Sequence, residues 1–456
     1  MSSVTGFTAL AILAIVSFGP GCATAQQIDV ATQQSQAPAT RWTEADIRAS
    51  RVAGAAALPD KPLWNADPMN LVVVIESGDH HVSLVDGDRF ERIHRFASRN
   101  ALHGAPKFAP DGRFVYFGSR DGWITRYDLW NLEIVAEVRV GLSLRSMAIS
   151  SDGRWVMAAN DSPHTVVLLD AQLQLERVYP AATRDGNATS RVSAVYDAGR
   201  RASFIVALRD IAELWEISYD PKAEDFYEGL VHDFRMGEGI PQRAFLNVRR
   251  TTLAEPLDDL FLDRPQAEAI GAARPKDGAA PVAQIVNLDV RRRIATLPIP
   301  GMPHPGSGAA FPWQGTTLLA SPNLTNGAIT IVDTKDWRLV KTIATPGPGF
   351  FIRSHRQTPY AWADSAVGAA ARDTLTIIDK TTLEPVAQVR EPGRALVHVE
   401  FTRNGSHALV SLSEIDGALI VYDARTLSEV KRLPMSKPIG KYNVWNRIWQ
   451  PAANSN

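Results

Sequence analysis

Four histidines stand where an imidazole could ligate iron or pass a proton near neutral pH. They are His103 in Leu102-His103-Gly104-Ala105-Pro106, His304 in Gly301-Met302-Pro303-His304-Pro305-Gly306, His355 closing Phe351-Ile352-Arg353-Ser354-His355, and His398 in Val397-His398-Val399-Glu400. Any one of them alone is as well explained as a core or loop histidine that satisfies a backbone carbonyl. His80, His81, His94, His164, His232 and His407 lack this placement and read as structural or solvent-exposed. Arg120, in Gly118-Ser119-Arg120-Asp121-Gly122-Trp123, and Arg145, in Leu142-Ser143-Leu144-Arg145-Ser146, suit a ligand bearing carboxylates, because a guanidinium grips a carboxylate with two parallel hydrogen bonds. The competing explanation for each is a surface ion pair. Trp123, Trp155, Trp362 and Trp445 could stack on a flat macrocycle, although such side chains more often fill cores. The phosphate-binding G-x-x-x-x-G-K-[ST], the zinc-binding H-E-x-x-H and the nucleophile elbow G-x-S-x-G are all missing, so NTPase, zincin and serine-hydrolase readings have no anchor.

Positioning these side chains is the work of a repeat. Apolar segments ending in aspartate recur at Asp86, Asp128, Asp170, Asp220, Asp289, Asp333, Asp379 and Asp423, with intervals of 42, 42, 50, 69, 44, 46 and 44 residues. That is the spacing of four-stranded propeller blades, and it predicts an all-β, eight-bladed β-propeller. Aspartate suits the site because its carboxylate can cap the tight turn between the third and fourth strands. Ala109-Pro110-Asp111-Gly112-Arg113, Ser150-Ser151-Asp152-Gly153-Arg154 and Thr402-Arg403-Asn404-Gly405-Ser406 read as hairpin turns. The long interval is expected to carry insertions around Glu224 to Pro256 and Ala272 to Ala280, as loops on one face. In such a fold the four histidines each open a blade and feed its inner strand, so residues distant in sequence converge on one axis. Four at equivalent repeat positions are harder to dismiss than one.

Composition narrows the classes. Of 456 residues, 48 are Lys or Arg and 49 Asp or Glu, a net charge of −1 that argues against nucleic acid or an anionic membrane as a partner held by bulk charge. At 45% hydrophobic and 21% charged the chain is an ordinary globular one. Its single cysteine, Cys22, excludes an internal disulfide, a cysteine-based zinc finger, an iron–sulfur cluster and a thioether-linked c-type haem, so any haem is held non-covalently. Residues 1–25 read as a removed export signal, with the apolar run Ala9 to Phe18 and the small-x-small triplet Ala23-Thr24-Ala25, although no Lys or Arg precedes the run. Acylation of Cys22 as a lipoprotein is the alternative. A periplasmic chain with no transmembrane segment is expected after cleavage. Residues 26–66 read as a linker or strap, 67–447 as the propeller and 448–456 as a C-terminal tail.

Several ordered blocks together resemble a known family. His103 through Trp123, the Gly301-Met302-Pro303-His304 loop, Gly349 through His355, His398-Val399-Glu400-Phe401-Thr402-Arg403 and Gly440-Lys441-Tyr442-Asn443-Val444-Trp445-Asn446 resemble the haem d1 domain of the cytochrome cd1 nitrite reductase family, most closely its dihydro-haem d1 dehydrogenase branch. The resemblance implies a propeller that holds haem d1 or dihydro-haem d1 in its central cavity, and an oxidoreductase of haem d1 biosynthesis in denitrification that converts a propionate side chain to acrylate. It implies His304 as the base, with His355 as a second catalytic histidine. It implies His398 or His103 as the iron ligand, and His103, Arg120, Arg145, Arg353, Tyr442 and Trp445 as cofactor contacts. The family's attached c-type cytochrome has no counterpart in a chain with one cysteine. The implied partners are therefore haem d1 or its precursor, a separate c-type cytochrome or other electron acceptor, and nitrite reductase. A haem d1 carrier, a nitrite reductase d1 subunit served by a separate cytochrome, and a haem-free scaffold are the alternatives.

Overall fold

The computed structural model describes residues 41–54, 58–99, 101–227, 241–272 and 282–449. The expected export signal, Cys22, His232 and the end of the tail lie outside them. Eight four-stranded antiparallel blades close into a ring. In chain order the inner strands of blades 2 to 8 are Lys107–Phe108, Ser143–Ile149, Val192–Ala198, Asp259–Leu262, Ala309–Trp313, Ile352–Ser354 and Leu396–Phe401. Blade 1 takes its three outer strands, Leu71–Glu76, His81–Asp86 and Arg92–Ala97, from the start of the ring and its inner strand, Pro438–Asn443, from the end. The last strand pairs antiparallel with the first strand of the ring in the register Val72↔Asn443, Val73↔Tyr442 and Val74↔Lys441, which closes the ring.

Each blade packs on two neighbours, so its middle strands are apolar on both faces. Leu71–Glu76 and Ser203–Leu208 are buried at every position. The seams are separate apolar clusters: Ile124, Val138, Val156 and Leu169 join blades 2 and 3, and Trp362, Leu375, Val410 and Ile420 join blades 7 and 8. The turn aspartates act as their spacing predicts. The Asp379 carboxylate accepts from the backbone N–H of Thr381 and Thr382 at 2.8 and 2.9 Å, and Asp423 does the same for Arg425 and Thr426 at 2.9 and 2.7 Å. Four residues after each, Leu383 and Leu427 hold left-handed backbone at φ +58° and +62°.

Two details depart from the repeat as read in sequence. In blade 5 the cap is Asn287, whose side-chain oxygen accepts from Asp289 and Val290 N–H, both at 3.0 Å, so Asp289 is a turn residue and not the cap. Val248–Thr252, placed by sequence within an insertion, is the outer strand of blade 4 and pairs as Leu214↔Thr251 and Glu216↔Arg249. A half-buried outer strand carries little apolar alternation for a sequence to show. The inserted chain lies before it, and its described ends, Phe226–Tyr227 and Pro241–Gln242, pair with each other.

Ahead of the ring, Glu44–Ser50 form a helix closed by a Thr43/Asp46 capping box. Ile47 buries against the seam of blades 2 and 3, and Val52–Ala53 add a fifth strand outside blade 2. No helix among the described residues is long and apolar enough to cross a membrane.

Candidate functional site

A cavity of about 430 Å³ lies on the axis, built from the connections that enter the blades and the first residues of their inner strands. Its wall is largely apolar, from Leu102, Leu144, Met147, Met302, Phe350, Phe351 and Ile439, with polar groups at a few places. Of the sequence candidates, His103, Arg120, Arg145, His304 and Tyr442 line it.

His103 and His304 occupy the same place in their repeats. Each extends an inner strand by one further pairing, with the His103 N–H donating to Gly118 O and the His304 N–H to Pro322 O, both at 2.9 Å. Arg145 donates to the His103 Nε2 across 3.1 Å. Burial first, and then Arg145 and Arg120, push that imidazole down to about 3, so it is neutral and its lone pair faces a guanidinium. His304 Nδ1 lies 3.1 Å from the Phe350 carbonyl, and Nε2 lies 3.7 Å from Asp259 Oδ2.

His398 stands directly behind the wall. Its ring packs edge-on against Phe351, with centroids 4.8 Å apart, and beside Tyr442 at 5.2 Å. It is 1% exposed, and neither ring nitrogen has a hydrogen-bond partner. Burial, followed by the nearby Lys441, Arg353 and Arg447, holds it well below the usual imidazole range and keeps it neutral. The backbone there is left-handed, φ +53°, at a bulge between Val397 and Val399. Two fully buried charged side chains hold it. Lys441 Nζ donates to His398 O at 2.5 Å, Val397 O at 3.2 Å and Ser411 Oγ at 2.7 Å. Asp364 accepts from the His398 N–H at 3.2 Å through one oxygen, and from Phe350 and Phe351 N–H at 2.7 and 3.3 Å through the other.

The remaining candidates stand apart from the wall. His355 follows the three-residue inner strand Ile352–Ser354 and so closes it at the far end, which corrects the expectation of four equivalent positions. His355 Nδ1 accepts from Gln357 N–H at 3.2 Å, its Nε2 has no partner, and its ring fills the space left by Gly405, where a Cβ would come within 2.1 Å. Arg353 lies under the wall and pins the turn after His304, donating to Ser307 O at 2.8 Å. Trp445 is on the helix Val444–Trp449 and carries the Arg403 guanidinium 4.3 Å above its ring. None of these three lines the cavity.

Sequence reasoning missed Asp259, Tyr196 and Lys107, all on the wall. Lys107 is half-buried, and its loss of solvation, helped by Arg447 and Arg353, pushes it down to about 7. Asp364 and Lys441 were missed as well. No motif marks any of them, because each gains its role from partners on other blades.

Among the described residues no three metal-ligating side chains converge. A single neutral, unpartnered imidazole suits a different case, a metal whose equatorial positions a macrocycle already fills. Guanidinium groups and an apolar, aromatic wall fit a flat, carboxylate-bearing macrocycle.

Comparison with known proteins agrees with this chemistry. The Cytochrome D1 heme domain family matches residues 66–231 and 245–447. Dihydro-heme d1 dehydrogenase of Pseudomonas aeruginosa PAO1 is 49% identical over 412 residues, 90% of this chain and 78% of that protein. Protein NirF of Stutzerimonas stutzeri is 29% identical over 380 residues, 81% of this chain and 90% of its own. The solved structure of dihydro-heme d1 dehydrogenase NirN in complex with DHE superposes with a TM-score of 0.82 at 48% identity, covering 91% of this chain and 84% of that one.

Proposed function

Because the chain belongs to the Cytochrome D1 heme domain family, we propose that it binds dihydro-haem d1 in the axial cavity and oxidises a propionate side chain to acrylate. The observation that carries the reading is the buried, unpartnered imidazole of His398 behind the wall. A buried polar nitrogen without a partner costs about 1–3 kcal/mol, and a bound iron relieves that cost. His398, whose ring lies behind Phe351 and Tyr442, would hold the iron, and His103, whose Nε2 already faces Arg145, would not. Arg120 and Arg145 would hold the carboxylates of the macrocycle, with His103 keeping Arg145 in place. Tyr442 and Phe351 shape the wall. His355, Arg353 and Trp445 have no part in the step.

The bound macrocycle supplies a redox-active conjugated system. His304 supplies the base: a C–H bond of the propionate side chain breaks, its proton passes to Nε2, and its electron pair remains with the substrate. Two electrons then leave to two equivalents of a one-electron acceptor of the c-type cytochrome class, and the second proton goes to solvent. These 456 residues hold one cysteine, and the acceptor is proposed to be a separate molecule. Removal of 1–25 and a periplasmic location complete the proposal.

Absorption titration of the haem-free protein with dihydro-haem d1, followed by addition of an electron acceptor, tests the reading. Saturable one-to-one binding and a shift to the spectrum of haem d1 are expected. Binding without conversion would leave a carrier, and no binding would leave a scaffold.

A further inference from the structure

Asp259 opens the inner strand of blade 5 and lies on the cavity wall, 5% exposed. Its two oxygens are used differently. Oδ1 accepts from the Tyr196 hydroxyl at 2.8 Å, whereas Oδ2 accepts from the Gly306 N–H at 2.7 Å and lies 3.7 Å from His304 Nε2. On the opposite edge of that ring, Nδ1 is 3.1 Å from the Phe350 carbonyl. A carbonyl oxygen can only accept, so Nδ1 carries the hydrogen and Nε2 keeps its lone pair. The carboxylate therefore sits beside the basic nitrogen. At 3.7 Å it is too far to be hydrogen-bonded, and two acceptors would have no proton to share.

The pairing changes once Nε2 takes up a proton. The ring is then a cation facing an anion in a partly desolvated cavity, and the contact turns favourable at the moment charge develops. Few other groups can serve. Among the charged side chains of the described wall, Asp258 is tied to Arg209 at 3.5 Å, and Arg120, Arg145 and Lys107 are basic. Tyr196 and the Gly306 N–H hold the carboxylate in place from blade 4 and from the turn after His304, so closing the 3.7 Å gap to a hydrogen bond falls to the His304 ring.

We propose that Asp259 is the positioning residue of His304, orienting its ring and stabilising the imidazolium formed when Nε2 accepts the substrate proton. The inference rests on His304 being the base, and the tests separate the two. Asp259→Asn removes the charge and keeps the shape, because its amide oxygen can take the Gly306 N–H while its NH₂ faces the Tyr196 oxygen. The variant is expected to lower kcat roughly ten- to a hundredfold with KM unchanged. A raised KM at unaltered kcat would make Asp259 a mere part of the pocket shape and overturn the proposal.

A second readout needs no substrate. In ¹⁵N-labelled protein at acid pH, His304 should show a hydrogen-bonded Nε2–H resonance that is absent from Asp259→Asn. If wild-type protein lacks that resonance the proposal fails, whether or not the variant folds. His304→Gln that turns over normally would remove the base itself. His304→Gln inactive beside Asp259→Asn at full kcat would overturn only the role of Asp259.

Discussion

Behind the wall of the cavity three side chains depart from ordinary protein chemistry: an imidazole without partners, a lysine held to carbonyls, and a carboxylate held to backbone N–H groups. His398→Ala should remove the proposed iron ligand and leave the propeller folded. The expected result is a changed absorption spectrum of bound haem d1 and an affinity at least roughly tenfold weaker. Unchanged bands would transfer the ligand role to another residue. Arg120→Ala and Arg145→Ala should each weaken binding roughly tenfold through a lost charge-assisted hydrogen bond, measured in the same titration. Acid stability follows from the buried histidines. In an unfolded chain an imidazole protonates near 6.5, whereas in this fold His103 waits until about 3 and His355 until about 4. The unfolded state binds more protons in between, so the stabilising effect is complete above about pH 6.5 and is lost as the pH falls toward 4 and 3. The urea midpoint should drop over that window, and His355→Gln should flatten the drop; an equal slope in both proteins would assign the loss elsewhere.

At the level of strands and turns, the blade 5 cap offers a direct comparison. Asn287→Ala removes two acceptor contacts to the turn and should cost about 1–2 kcal/mol, read as a shift in the urea midpoint. Asp289→Ala loses a surface ion pair to Arg201 and should cost under about 1 kcal/mol. The reverse order would restore the aspartate as the cap. Much of this layer was legible in sequence. The Asp-capped turn recurs because every blade needs the same chain reversal, and the reversal demands a short side-chain acceptor. The outer strand Val248–Thr252 was illegible because it satisfies its needs through pairing with Glu213–Ser218 and buries little of its own. At the site, His103 and His304 could be picked out by their loops. Their surroundings could not: Asp259 acquires meaning from Tyr196, 63 residues away, and Asp364 from His398, 34 residues away. Such contacts exist only after the ring assembles.

The described residues form a closed ring of apolar seams around an axial cavity. Binding at that axis touches several blades at once, so saturation with dihydro-haem d1 at about a hundred times its Kd should stabilise the fold by about 2.7 kcal/mol. A raised urea midpoint that tracks ligand concentration would show it, and a concentration-independent midpoint would place binding outside the fold. The closing strand adds a matter of timing. Gly440 and Tyr442, part of the cavity wall, and Lys441, which fastens the His398 carbonyl, belong to Pro438–Asn443, the last strand to leave the ribosome. Until those residues are in place the proposed iron ligand has no lock on its left-handed backbone, and the pocket lacks a side. Loading therefore has to follow emergence of the closing strand. A product truncated before residue 438 would be unable to sequester the tetrapyrrole.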